Sequence, residues 1–126
     1  MPEDKSYSKK DIFNLLRQVK QEIIENCNNY NGINKDIYAI GTKDSVHRFD
    51  IYIELDKDLL EDLILRYTKE SLFKQLESIR INVHHLKKEY TGQNKDTYDQ
   101  CIKDIVKIVE KYMEIYQVTD KWRRLG

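Results

Sequence analysis

Arg80, His84 and His85 lie together in "SIRINVHHLKKEY", residues 78–90, and the chain holds only three histidines in all. An arginine binds a phosphate through two parallel, charge-assisted hydrogen bonds. A histidine gives or takes a proton near neutral pH. Cutting an RNA strand without metal needs both services: a base for the 2′-hydroxyl, an acid for the leaving oxygen, and a cation for the charged phosphorane. Arg80, His84 and His85 are therefore the candidate catalytic residues. At about 100° per residue on a helix, Arg80 and His84 share a face and His85 lies about 140° further round. His85 meets Arg80 only where the helix bends or a second chain completes the site. Neither a metal nor a cofactor is expected, because adjacent histidines point to different faces and no cysteine or carboxylate stands at ligand spacing. The competing reading is plainer: two solvated histidines on a charged helix face.

Helices must position these side chains. Ser8 with Asp11 three residues later marks the start of a helix over about Lys9–Asn28, with Ile12, Leu16, Val19, Ile23 and Cys27 on one stripe. "NCNNYNGINKD" ends it. Residues 37–55 carry "IYAI" and the alternating "FDIYIEL" around "GTKDSVHR", which predicts a β-hairpin. A short helix is expected over Asp58 to about Thr68. The next runs from about Ser71 to Tyr90, with Leu72, Leu76, Ile79, Val83, Leu86 and Tyr90 as a bundle-type seam. "TGQN" breaks it. A last helix spans about Asp96 to Val118, capped by Asp96 or Thr97, and its apolar face is broad enough for several neighbours or a dimer partner. No internal repeat is read along the chain. The expected fold is all-α: one domain over residues 1–126, an up-down bundle of about four helices with a small β-hairpin insertion at 37–55.

Composition narrows the classes. The chain has 126 residues, 40% hydrophobic and 35% charged, with 22 basic against 22 acidic residues. Zero net charge excludes nucleic-acid binding by bulk charge, so an RNA role must rest on a local site. No apolar run approaches the roughly 20 residues that span a bilayer, and the polar start has no signal-peptide core, so a cytoplasmic protein with no membrane contact is expected. Cys27 and Cys101 read as reduced core residues. "GTKDSVHRFDIYIELD" lacks the second strand carboxylate of a minimal nucleotidyltransferase, since Tyr52 stands two residues after Asp50. His47 and Arg48 read as surface residues of the hairpin turn. The tail "DKWRRLG" reads as a basic cap in which Trp122 covers the bundle end.

Arg80-Ile-Asn-Val-His-His85 fits the pattern arginine, four residues, histidine. It is preceded by "LFKQLESIR" and followed, after a polar break, by the closing helix "DTYDQCIKDIVKIVEKYMEIY". Over residues 70–118 the chain resembles the HEPN superfamily, small helical bundles frequent in toxin–antitoxin and phage-defence systems. The resemblance implies a metal-independent endoribonuclease site shared across a homodimer, with Arg80 on the scissile phosphate and His85 as general acid or base. It implies an RNA substrate and a cognate antitoxin or other protein partner. Ile81 stands where the family usually has a polar residue after the arginine, and the nearest following tyrosine is Tyr90. The alternative reading is a non-enzymatic helical interaction protein: an immunity protein, an antitoxin or a small inhibitor.

Overall fold

The computed structural model describes residues 7–60 and 68–116. Four helices make up the fold: α1 (Lys9–Asn28), α2 (Lys35–Leu60), α3 (Lys69–Glu89) and α4 (Lys95–Ile115). Three of them follow the apolar spacing directly. Ile12, Leu16, Val19 and Ile23 of α1 and Leu72, Leu76, Ile79 and Val83 of α3 are all buried, as are Tyr98, Cys101, Ile102, Ile105 and Val109 of α4. Ser8 caps α1 as expected: its Oγ accepts from the Asp11 amide at 3.2 Å and Asp11 returns the bond to the Ser8 amide. Thr68 caps α3 in the same way through the Ser71 amide. The cap of α4 is neither Asp96 nor Thr97 but Asn94, in the left-handed region.

The β-hairpin is replaced by helix. Residues 37–55 lie inside α2, which is unbroken from Lys35 to Leu60, and the described residues contain no strand pairing there. Among the described side chains of α2, the buried positions besides Gly41 are Tyr38, Thr42, Ser45 and Phe49, spaced four, three and four. That is a helical period, disguised because two of the four core positions are hydroxyl residues. Both hydroxyls turn back onto their own helix: Thr42 Oγ1 donates to the Tyr38 carbonyl at 3.2 Å and Ser45 Oγ to the Gly41 carbonyl at 2.8 Å. A buried hydroxyl satisfied this way carries little of the burial penalty it would otherwise bring. The β-branched residues that suggested strands, Ile40 and Ile51, are exposed. Of the short helix expected over 58–68, residues 58–60 close α2, and 61–67 lie outside the described residues, as do Val118 and the Trp122 tail.

The fold also corrects the expectation of no repeat. "YNGINKDIYAIGTKDSV" at 30–46 recurs sixty residues later, without a gap, as "YTGQNKDTYDQCIKDIV" at 90–106. The α1–α2 hairpin and the α3–α4 hairpin are two copies of one unit. In each, a tyrosine after the first helix stacks on a tyrosine of the second: Tyr30 on Tyr38 at 3.8 Å, Tyr90 on Tyr98 at 3.9 Å. In each, the first tyrosine's hydroxyl donates to the carbonyl three residues on, at Ile33 and Gln93. Asn34 and Asn94 share a positive φ, 57° and 54°, which asparagine tolerates better than most residues. Gly32 and Gly92 lie under the tyrosine rings, where an added Cβ would meet the hydroxyl oxygen at 2.3 and 2.6 Å.

The two units pack through contacts that are reciprocal, as a two-fold relation requires. Tyr38 donates to Asp104 at 2.6 Å, and Tyr98 donates to Asp44 at 2.9 Å. Between these bonds α2 and α4 cross at Gly41 and Cys101, which occupy equivalent places in the two copies. A Cβ on Gly41 would sit 2.8 Å from the Cys101 Sγ. Around the crossing α2 offers Gly41, Thr42 and Ser45 where α4 offers Cys101, Ile102 and Ile105, so small side chains meet large ones. The breadth of α4's apolar face is used inside the chain, against α1, α2 and α3. No helix among the described residues is long and apolar enough to cross a membrane.

Candidate functional site

Arg80, His84 and His85 all stand on α3 and line one surface groove of about 320 Å³, with Ile81 beside them and Val106 and Glu110 from α4. The helix is unbroken through this stretch, and the groove takes in His85 as well as Arg80 and His84. Both histidines are exposed. The arginine, however, is already engaged. Its Nη1 lies 3.1 Å from Glu110 Oε2. Glu110 could not be foreseen as a member of the site, because it reaches Arg80 only through the packing of α4 on α3.

The internal repeat supplies a control for this arrangement. The residues equivalent to Arg80 and Glu110 are Lys20 and Asp50, and they too form an ion pair, at 2.7 Å. The two pairs are exposed alike: 32% and 46% for Arg80 and Glu110, 30% and 47% for Lys20 and Asp50. In the first copy Ile24 and Glu25 occupy the places of His84 and His85. A cation–carboxylate strap between the helices of each hairpin is thus a property of the unit, present with or without histidines. Nor does the repeat supply a second arginine–histidine motif, since Lys20, Ile24 and Glu25 stand at those places in the first copy.

His47 and Arg48, expected in a hairpin turn, lie on α2. They line a larger cleft of about 660 Å³ with Asp44, Ile51, Leu86, Glu89, Tyr90 and Tyr98 among its walls. Arg48 Nη2 is 2.5 Å from Glu89 Oε2, bridging α2 to α3 across the cleft. The helical period of α2, had it been read through Thr42 and Ser45, would have placed both residues on this outer face. Among the described residues no three histidine, cysteine or carboxylate side chains are grouped to hold a metal ion.

The polar groups buried at the helix crossing are held in their neutral forms. Burial, chiefly, pushes the Cys101 thiol from its ordinary 9.0 up to about 12, against the opposing effect of the Thr42 hydroxyl. Burial and then the hydrogen bonds to Asp104 and Asp44 push the Tyr38 and Tyr98 phenols above their ordinary range. Cys101 is therefore a core residue and not a nucleophile; its Sγ donates to the Tyr38 carbonyl at 3.1 Å. Below pH 9 these three groups are protonated in both folded and unfolded chains. Above it the unfolded chain loses their protons first, so it binds fewer protons than the native state and stability falls as pH rises. Urea midpoints should hold steady up to about pH 8.5 and drop progressively from about pH 9 towards pH 12. Thr42→Val with Cys101→Ala should remove the onset near pH 9 and leave the later tyrosine-driven loss.

Comparison of the chain with protein-family models, curated proteins and solved structures finds no match.

Proposed function

We propose that the chain is a non-enzymatic helical interaction protein, of the antitoxin, immunity-protein or small-inhibitor kind, which docks a protein partner on the α3–α4 face. The observation that carries this reading is the twinning of Arg80–Glu110 with Lys20–Asp50. An arginine that straps two helices, as its counterpart does in a copy without histidines, is already neutralised by its carboxylate. To hold a phosphate it would have to give up Glu110, and Glu110 would then repel the phosphate from the same groove. Zero net charge supports the same reading, because no long-range field gathers nucleic acid. The groove offers Ile81 and Val106 as apolar contacts beside His84 and His85, which suits a partner with an apolar side chain flanked by carboxylates.

A second reading is favoured by one observation: Arg80, His84 and His85 do line a single groove. On it the chain is a HEPN-like, metal-independent endoribonuclease of a toxin–antitoxin or phage-defence system, with Arg80 released from Glu110 when RNA binds. Incubating the pure protein with total RNA in EDTA separates the two. The interaction protein leaves RNA intact, and Arg80→Ala and Lys20→Ala each lower stability by a similar small amount, below about 1 kcal/mol for exposed pairs. Metal-free cleavage that disappears in His84→Ala or His85→Ala would establish the enzyme instead.

A further inference from the structure

The internal repeat lets each exposed residue be compared with its equivalent on the sister unit. Of the five exposed isoleucines among the described residues, three lie on helices and have a polar equivalent in the sister unit. Ile40 and Ile51 of α2 are 40% and 41% exposed, and Ile81 of α3 is 47% exposed. Their equivalents are Gln100, Lys111 and Gln21, all polar. Helix α2 therefore carries exposed apolar side chains at two places, Ile40 and Ile51, where its copy α4 carries the polar Gln100 and Lys111. Scattered surface isoleucines need no explanation, but here the same fold position supplies the polar alternative.

The arrangement on α2 is more specific. Ile40, Asp44, His47 and Ile51 follow one another at spacings of four, three and four, which lays them along one helix stripe on the side opposite the buried Ser45 and Phe49. His47 is exposed, and Asp44 and His47 both line the cleft beside α3. The order apolar, acid, base, apolar is the same as its own complement when reversed. Set antiparallel on a second copy of itself about a two-fold axis between Asp44 and His47, the stripe places each Ile40 against the other copy's Ile51. It places each Asp44 against the other copy's His47. Asp44 gives one oxygen to the Tyr98 hydroxyl, and a carboxylate has a second oxygen to offer. The equivalent stripe on α4, Gln100, Asp104, Lys107 and Lys111, keeps the central charges but has polar ends, so it lacks the apolar anchors.

We propose that this stripe of α2 is an isologous homodimer interface, in which two copies of the chain pack α2 antiparallel on α2. The proposal goes beyond the interaction function above and does not depend on it, since the partner face there is the α3–α4 groove. A contact centred on one helix stripe falls at the small end of specific interfaces, so the dimer should be weak, with a Kd of about 1–100 μM, and its population should rise with concentration.

Sedimentation equilibrium of the full chain across that concentration range tests this. Ile40→Gln with Ile51→Lys copies the sister stripe onto α2 and should weaken dimerisation about tenfold or more, with helix content and melting unchanged because the α4 positions already accept those residues. His47→Asp sets acid against acid and should also give monomer, while His47→Lys should keep the dimer. A chain that is monomeric at every concentration overturns the proposal. So does a dimer indifferent to the Ile40→Gln, Ile51→Lys pair or to His47→Asp.

Discussion

Exchanging the two residues at the helix crossing should rescue what each single exchange damages. Gly41→Cys alone places a Cβ 2.8 Å from the Cys101 Sγ and 3.0 Å from the Cys101 Cβ. Cys101 cannot swing away, since its Cβ is fixed to the backbone and its Sγ is tied to the Tyr38 carbonyl and beside Thr42 Oγ1. The helices must separate, at a cost of about 1–3 kcal/mol. That exceeds the gain of up to about 1 kcal/mol from removing a helical glycine. Cys101→Gly alone empties the same contact and adds a helical glycine, for about 2 kcal/mol in all. In the double variant the large residue sits on α2 and the small one on α4. Because the two hairpins are copies related through this point, the new thiol faces the Tyr98 carbonyl as Cys101 now faces that of Tyr38. The double variant should recover most of the loss, with a coupling of about 1–3 kcal/mol in a double-mutant cycle read by urea unfolding. Additive losses would mean that the crossing is not the shared point of two equivalent units.

That crossing also explains what could and could not be read from the chain. Helices α1 and α3 were legible because their cores are Ile, Leu and Val at unbroken three–four spacing, and α4 because Tyr98, Cys101, Ile102, Ile105 and Val109 keep the same period. Ser8 was legible because a capping box is local. α2 was not, because close approach at Gly41 and Cys101 demands small side chains at Gly41, Thr42 and Ser45, and those residues erase the hydrophobic period. The same demand hid the repeat. The matching residues gather in the turn and the first turns of α2 and α4, while at the crossing one copy is small and the other large. A two-fold pair of identical surfaces would put Gly41 against glycine, leaving a void, or Cys101 against cysteine, overfilling it. The divergence of the copies is what makes them fit. At the candidate site, the types of Arg80, His84 and His85 and their shared helix were readable. The pairing with Glu110 was not, because it depends on how α4 lies along α3. Its meaning came only from Lys20 and Asp50 repeating it.

The reciprocal hydrogen bonds on either side of the crossing should show an asymmetry between partners that is the same in both halves. Tyr38 and Tyr98 are 1% exposed, whereas Asp104 and Asp44 are only half-buried. Asp104→Ala leaves the Tyr38 hydroxyl proton without its acceptor inside the protein, a penalty of about 1–3 kcal/mol. Tyr38→Phe removes the hydroxyl, and the groups it leaves, Asp104 and Asn26, can reach water, so the loss should be nearer about 1 kcal/mol. Asn26 donates to the same hydroxyl at 2.8 Å, which makes the Tyr38 variant the more costly of the two phenylalanine changes. Once Asp104 is alanine, adding Tyr38→Phe should cost nothing further and should restore some stability. The pair Asp44→Ala and Tyr98→Phe should repeat the order. Thermal unfolding of the six single and double variants checks it, with each kcal/mol shifting Tm by several degrees in a chain of this size. If the tyrosine changes proved the more damaging in both halves, the hydroxyls would be holding the aspartates rather than the reverse. The hydroxyls of Tyr38 and Tyr98, and not the packing of their rings alone, would then hold the joint between hairpins.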